Sequence, residues 1–240
     1  MKTKPNIRVY LSAEDWNEYF AAERNNKLIQ CLSSELNLQQ VGDQFEEEIK
    51  IAGIIFAEKI APECRGLPTL CMTDMTDPVA LDHFMQRVFM LNELQQYKDN
   101  LSVKSLIEFH SKYKYLFMSY SQAGYKKSGK MIADAYKMPN LAAFFAEYCD
   151  YLLAITSNPP KRGDQSNTLS HLQGYFKKNI SGDEKAQLTQ LIDDYRHQRA
   201  NLSQPIEFML ELLQRHPDDY LSQQRYFLPY PSANQWRKLL

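Results

Sequence analysis

From Asp77 onward the chain carries helix-start signals at intervals of about one helix length, and no other feature constrains its fold as much. Asp77 followed by Pro78 pairs an N-cap with a proline at the first helical position, where a missing N–H is harmless. Ser102, Asn140, Ser181 and Ser203 each precede an apolar-periodic run, and Ser181 with Glu184 makes a capping box. The spacing predicts a helix from Pro78 to the break at Asn100, then helices over 103–121, 123–137 (interrupted at Gly129) and from Asn140 through Thr156. Further helices follow over 165–178, 182–199, from Ser203 to near His216, and a short one over 219–226. Pro229 and Pro231 hold the next segment extended. The fold class read from this is mainly α: a bundle of six or seven helices over residues 78–240, with a smaller, mostly helical extension over 1–77. Only 8 glycines in 240 residues agree with helices rather than turn-rich β structure.

The first 77 residues are less regular. Residues 5–11 suit a short strand. Ser12 then resembles an N-cap, and Trp16, Phe20, Leu28 and Leu32 space a helix over about 13–36. A second helix is expected around 43–60, acidic at its start with Glu46, Glu47 and Glu48 as the helix dipole prefers. Pro62, Gly66 and Pro68 mark 61–77 as a loop or linker.

Net charge is −1, but it is unevenly placed. Residues 1–80 sum to −5 and residues 81–240 to +4, with six lysines against one glutamate over 104–130. This points the back half toward an anionic partner, the alternative being ordinary solvated helix faces. No window approaches the ~20 apolar residues that span a bilayer, and no apolar stretch follows a basic leader. A cytoplasmic protein with reduced thiols and no membrane partner is expected. The five histidines show no metal-ligand spacing, and no Walker A, G-x-S-x-G or G-x-G-x-x-G pattern occurs.

Three segments hold the residues that could carry chemistry. On the helix over 103–121, Leu106, Phe109, Tyr113, Leu116 and Tyr120 make a core face, and His110, Lys114, Phe117 and Ser121 run along its edge. A histidine beside a lysine there could hold a phosphate or polarise a carbonyl, or else be a buried hydrogen-bonded histidine next to a snorkelling lysine. His171, Tyr175 and Lys178 share a face of the helix over 165–178, where Gly174 favours close helix packing or, failing that, close approach of a ligand. Lys161 and Arg162 precede that helix. Arg162 suits a phosphate at a helix N-terminus, or a pairing with Asp164 or with a helix C-terminus. Basic residues interleaved with Tyr113, Tyr115, Tyr125, Tyr175 and Tyr226 are what RNA binding uses, although most tyrosines in a bundle are core residues with one wet end.

Together these segments give the pattern Phe109-His-Ser-x-x-Lys114, Ser121-Gln122 with Tyr125 and Gly129, Pro160-x-Arg-Gly163 with Asn167, His171-x-Gln-Gly-Tyr-Phe176, and Tyr220-Leu-x-x-Gln-Arg-Tyr226 with Pro229 and Pro231. The pattern resembles the YbgA-like family, a bacterial domain of unknown function, over residues from about 81 to 240. In many members this domain follows an iron–sulfur domain that removes sulfur from thiolated uracil, including 4-thiouridine in tRNA. The resemblance therefore implies handling of tRNA or another RNA, alone or with a separate desulfidase.

Residues 62–69 faintly resemble a segment of that desulfidase domain, but Ala61 stands where its cysteine would be. Residues 1–77 are accordingly read as a degenerate remnant or an unrelated extension. No cofactor and no self-contained activity is expected, and an iron–sulfur cluster on Cys31, Cys64 and Cys71 is disfavoured. The expected polar site comprises His110, Lys114, Arg162, Asn167, His171, Gln173, Tyr175 and Arg225. Lys114, Arg162 and Arg225 would contact phosphate, Asn167 and Gln173 base edges, and Tyr175 would stack. The alternatives are a small-molecule enzyme using His110 and His171 in a bundle pocket, and a protein-interaction module that recruits a desulfidase.

Overall fold

A computed structural model describes residues 4–10, 27–40, 50–57 and 66–240. The chain divides into two units, Met1–Lys98 and Asp99–Leu240.

The first unit corrects the expectation of a mostly helical extension. It holds four short parallel strands: β1 (Asn6–Tyr10), β2 (Asn37–Gln40), β3 (Gly53–Phe56) and β4 (Thr69–Cys71), in the order β2-β1-β3-β4. Ile7 faces Leu38 on one side and Gly53 on the other, so β1 lies inside the sheet. The strand expected over 5–11 is present as β1. The helix expected over 43–60 is overturned where it is described, because residues 53–56 are a strand. Gly53, Ile54 and Ile55 are all buried, as in a parallel strand covered on both faces. Within the loop expected over 61–77, residues 69–71 are a strand as well. Helix α1 (Lys27–Glu35) is the described end of the helix expected over 13–36, whose earlier residues lie outside the described ones.

Helix α2 (Pro78–Gln96) starts as read, with Asp77 accepting from the Val79 N–H at 3.0 Å. It packs on the sheet where Gly53 leaves room: a Cβ there would stand 2.8 Å from Val88 Cγ2 and 3.2 Å from Phe84 Cε2. The Gln95 side chain donates to the Ile51 carbonyl at 3.0 Å. These contacts explain why α2 groups with the sheet, whereas the sequence boundary at 77/78 assigned it to the second domain.

The second unit contains α3 (Val103–Tyr120), α4 (Gln122–Asp134), α5 (Leu141–Ile155), α6 (Arg162–Phe176), α7 (Gly182–Arg196), α8 (Ser203–Arg215), α9 (Asp219–Ser222) and α10 (Ala233–Arg237). Ser102, Asn140 and Ser181 cap α3, α5 and α7 through their side chains. Ser121 caps α4, which runs through Gly129 without a break. A second local expectation fails at Ser203. Ser203 lies inside α8 rather than capping it, with its hydroxyl donating to Asn201 Oδ1. Beyond the segment held by Pro229 and Pro231, a region with no sequence expectation, lies the short helix α10.

Helix α3 is buried along most of its C-terminal half. Phe109, Tyr113, Leu116 and Phe117 are 0–1% exposed. On its other side, Tyr115 and Met118 pack with Leu169, Leu172 and Phe176 of α6 and with Leu188, Ile206 and Met209. Among the described residues no helix is long and apolar enough to cross a membrane.

Candidate functional site: a lysine among tyrosines

The edge of α3 that bears His110 and Lys114 meets tyrosines from α4, α6 and α9. The Lys114 ammonium lies 5.0 Å from the centre of the Tyr115 ring and 5.9 Å from that of Tyr220. Tyr220 stacks on Tyr175, with ring centres 5.9 Å apart and planes inclined by 28°. The Tyr115 hydroxyl donates to the Tyr175 hydroxyl at 2.9 Å, and the two rings meet edge to face. Tyr115 is buried, while Tyr175 is 39% exposed and Tyr125 and Tyr220 are half-buried. Sequence and packing thus combine to put one cation at the rim of a partly open aromatic patch.

Burial works against the Lys114 charge. The phenols of Tyr220, Tyr125 and Tyr175, together with a hydrogen bond to Tyr220, outweigh it and hold the pKa above its ordinary value. The group is therefore an ammonium at neutral pH, and no acidic side chain among the described residues pairs with it. Burial pushes the Tyr115 hydroxyl up, and its bond to Tyr175 adds to that. Burial also raises Tyr220, against the pull of the Lys114 charge. With both hydroxyls pushed up, Tyr115 and Tyr220 stay neutral at pH 7 and offer hydroxyls and ring faces rather than countercharge.

His110 lies one turn before Lys114, on the inner side of the patch. Its Nδ1 is 2.8 Å from the Tyr148 hydroxyl, and its ring stacks parallel to Tyr125 at 6.2 Å. Burial first, and then the Lys114 charge, lower its pKa to about 4. The imidazole is neutral at physiological pH and fixed by its hydrogen bond, so the hydrogen-bonded reading of this histidine holds.

The other expected site residues fall in different surroundings. Arg162 Nη1 donates to the Tyr195 carbonyl in the last turn of α7 at 2.7 Å, with its guanidinium 4.4 Å from the centre of the Tyr195 ring. Of its alternative readings, the helix C-terminus is the one realised. It also lines a cavity of about 400 Å³ with Gln198, Asn201 and Gln204. Gln173 donates to Thr189 Oγ1 at 2.7 Å and ties α6 to α7. His171 is exposed on the α6 face that carries Asn167 and Tyr175, and the buried Asn167 Nδ2 has no hydrogen-bond partner among the described residues. The Arg225 backbone N–H donates to the Lys112 carbonyl and the Gln224 side chain to the Ser111 carbonyl, which anchors this segment on α3.

His110, Lys114 and Tyr175 are thus brought to one patch, and Arg162 and Gln173 are engaged elsewhere. Of the five tyrosines noted beside basic residues, Tyr113, Tyr115 and Tyr226 are buried. Tyr220 was missed as a site residue, although it opens the last segment of the family pattern. Gly174 also departs from expectation: nothing stands within 4 Å of where its Cβ would be, so close packing does not account for it. Among the described residues no group of acidic, histidine or cysteine side chains could hold a metal. Cys64 and the Cys31 side chain lie outside the described residues, and Cys71 is a free thiol.

Residues 114–231 match the family model described as "Protein of unknown function (DUF1722)". The chain is 36% identical over 151 residues to "Uncharacterized protein YbgA" of Escherichia coli (strain K12), which covers 62% of this chain and 89% of that protein. No solved structure matches it significantly.

Proposed function

The chain belongs to the YbgA-like family, and on that footing we propose that it is a cytoplasmic RNA-binding accessory protein that presents tRNA for thiouridine desulfuration by a separate desulfidase. One observation carries the RNA part of this reading: the Lys114 ammonium, with no acidic partner among the described residues, at the rim of a half-open patch of four tyrosines. A cation contacts phosphate without regard to sequence, and phenol rings offer stacking faces and hydroxyls to bases. The six lysines over 104–130 extend the same charge along α3 and α4.

Bulk tRNA titrated against the full chain at low salt tests the proposal. Binding should weaken steeply as salt rises, because lysine–phosphate contacts release counterions. Lys114→Met should weaken binding and lower the salt slope by about one. Absence of binding at low salt would sink the proposal.

A further inference from the structure

We infer that the Lys114 patch takes an unpaired strand rather than a duplex, with one base stacked on the Tyr175–Tyr220 pair and its phosphate at Lys114; the inference rests on the RNA-binding reading above. Tyr175 is 39% exposed, and Tyr220 backs it at 5.9 Å in a near-parallel stack. A ring face of this kind is useful only to a base whose own face is free, and bases inside a helix cover one another. Lys114 Nζ is 5.9 Å from the Tyr220 ring centre, so cation and stack lie within the span of one nucleotide. The Tyr115 hydroxyl fixes Tyr175 from behind, so the ring is held in place before a ligand arrives. Beside Tyr175, the α6 surface at Gly174 is bare backbone with open space above it, which leaves clearance for a strand.

The test uses the full chain with a fluorescein-labelled twelve-nucleotide oligouridylate, a labelled RNA duplex of twelve base pairs, and tRNA, all at low salt by anisotropy. The single strand should bind at least tenfold more tightly than the duplex. Tyr175→Ala with Tyr220→Ala should remove at least tenfold of the single-strand affinity, and the double Phe variant, which keeps both rings but loses their hydroxyl bonds, should lose less than the double Ala variant. If the double Ala variant does not fold, the exposed position alone, Tyr175→Ala, serves. Three outcomes overturn the inference while RNA binding stands: duplex bound as tightly as single strand, tRNA bound but neither short RNA, or ring removal without effect. If nothing binds, tRNA included, the RNA-binding reading itself falls and the inference goes with it.

Discussion

His110 Nδ1 and the Tyr148 hydroxyl, 2.8 Å apart, join α3 to α5 through a neutral imidazole. Its folded pKa of about 4 lies below the ordinary 6.5, chiefly through burial. The unfolded chain therefore takes up a proton first as pH falls. This histidine's contribution is fully present above pH 6.5, is lost progressively down to about pH 4, and amounts to roughly 3 kcal/mol in all. Thermal melts of the wild type and of His110→Gln between pH 4 and 8 check this. The variant should lose less stability over that interval, and parallel profiles would refute it.

The Lys114 charge also acts on His110. Lys114→Met should raise the His110 pKa from its depressed value, because a neighbouring cation that disfavours imidazolium is removed. An NMR titration of the imidazole reads the shift. Burial remains in the variant, so the pKa should stay below 6.5.

Two helical glycines should respond oppositely to alanine. Gly174 meets nothing, so Gly174→Ala gains helix propensity of about 1 kcal/mol and raises the melting temperature by about 2–4 °C. At Gly124 a Cβ would stand 2.9 Å from Ile155 Cγ2 and 3.1 Å from Ile155 Cβ. Gly124→Ala should destabilise, by about 1–3 kcal/mol on the scale of overpacked cores. Denaturant melts of both variants decide the matter.

Arg162→Ala should lower stability rather than affinity. It deletes the donor to the Tyr195 carbonyl and the guanidinium's contact with the Tyr195 ring, a loss of about 1–3 kcal/mol. At a temperature where the variant is folded, its tRNA affinity should match the wild type. A drop in affinity with unchanged stability would instead restore the phosphate-contact role.

Helix starts were readable because capping is local chemistry. Ser102, Asn140 and Ser181 each bond an N–H three residues ahead, so the signal lies in neighbouring positions. Beyond β1 the sheet was not readable, because residues 53–56, a glycine and three apolar residues, also suit a buried helix. What makes them a strand is pairing with Ile7–Tyr10 and Thr69–Cys71, distant in sequence. The same division runs through the site. His110 and Lys114 were visible as neighbours on one helix. The stack of Tyr175 on Tyr220 joins residues on two helices and has no local signature. Arg162 shows the limit most directly, since three partners were compatible with its position and only the packing of α6 on α7 selects one.

The grip of Arg237 on the carbonyls of Tyr226 and Phe227 has a consequence for the order of synthesis. Arg237 is fully buried, and the Tyr226 hydroxyl in turn donates to Gln165 in α6. The ribosome delivers Gln165 long before either partner. The Tyr226–Gln165 bond waits for residue 226, and the two bonds from Arg237 wait for residue 237. The last contacts of this unit therefore close only after residues 226–237 have been made, so earlier helices wait on the C-terminal segment for their final partners.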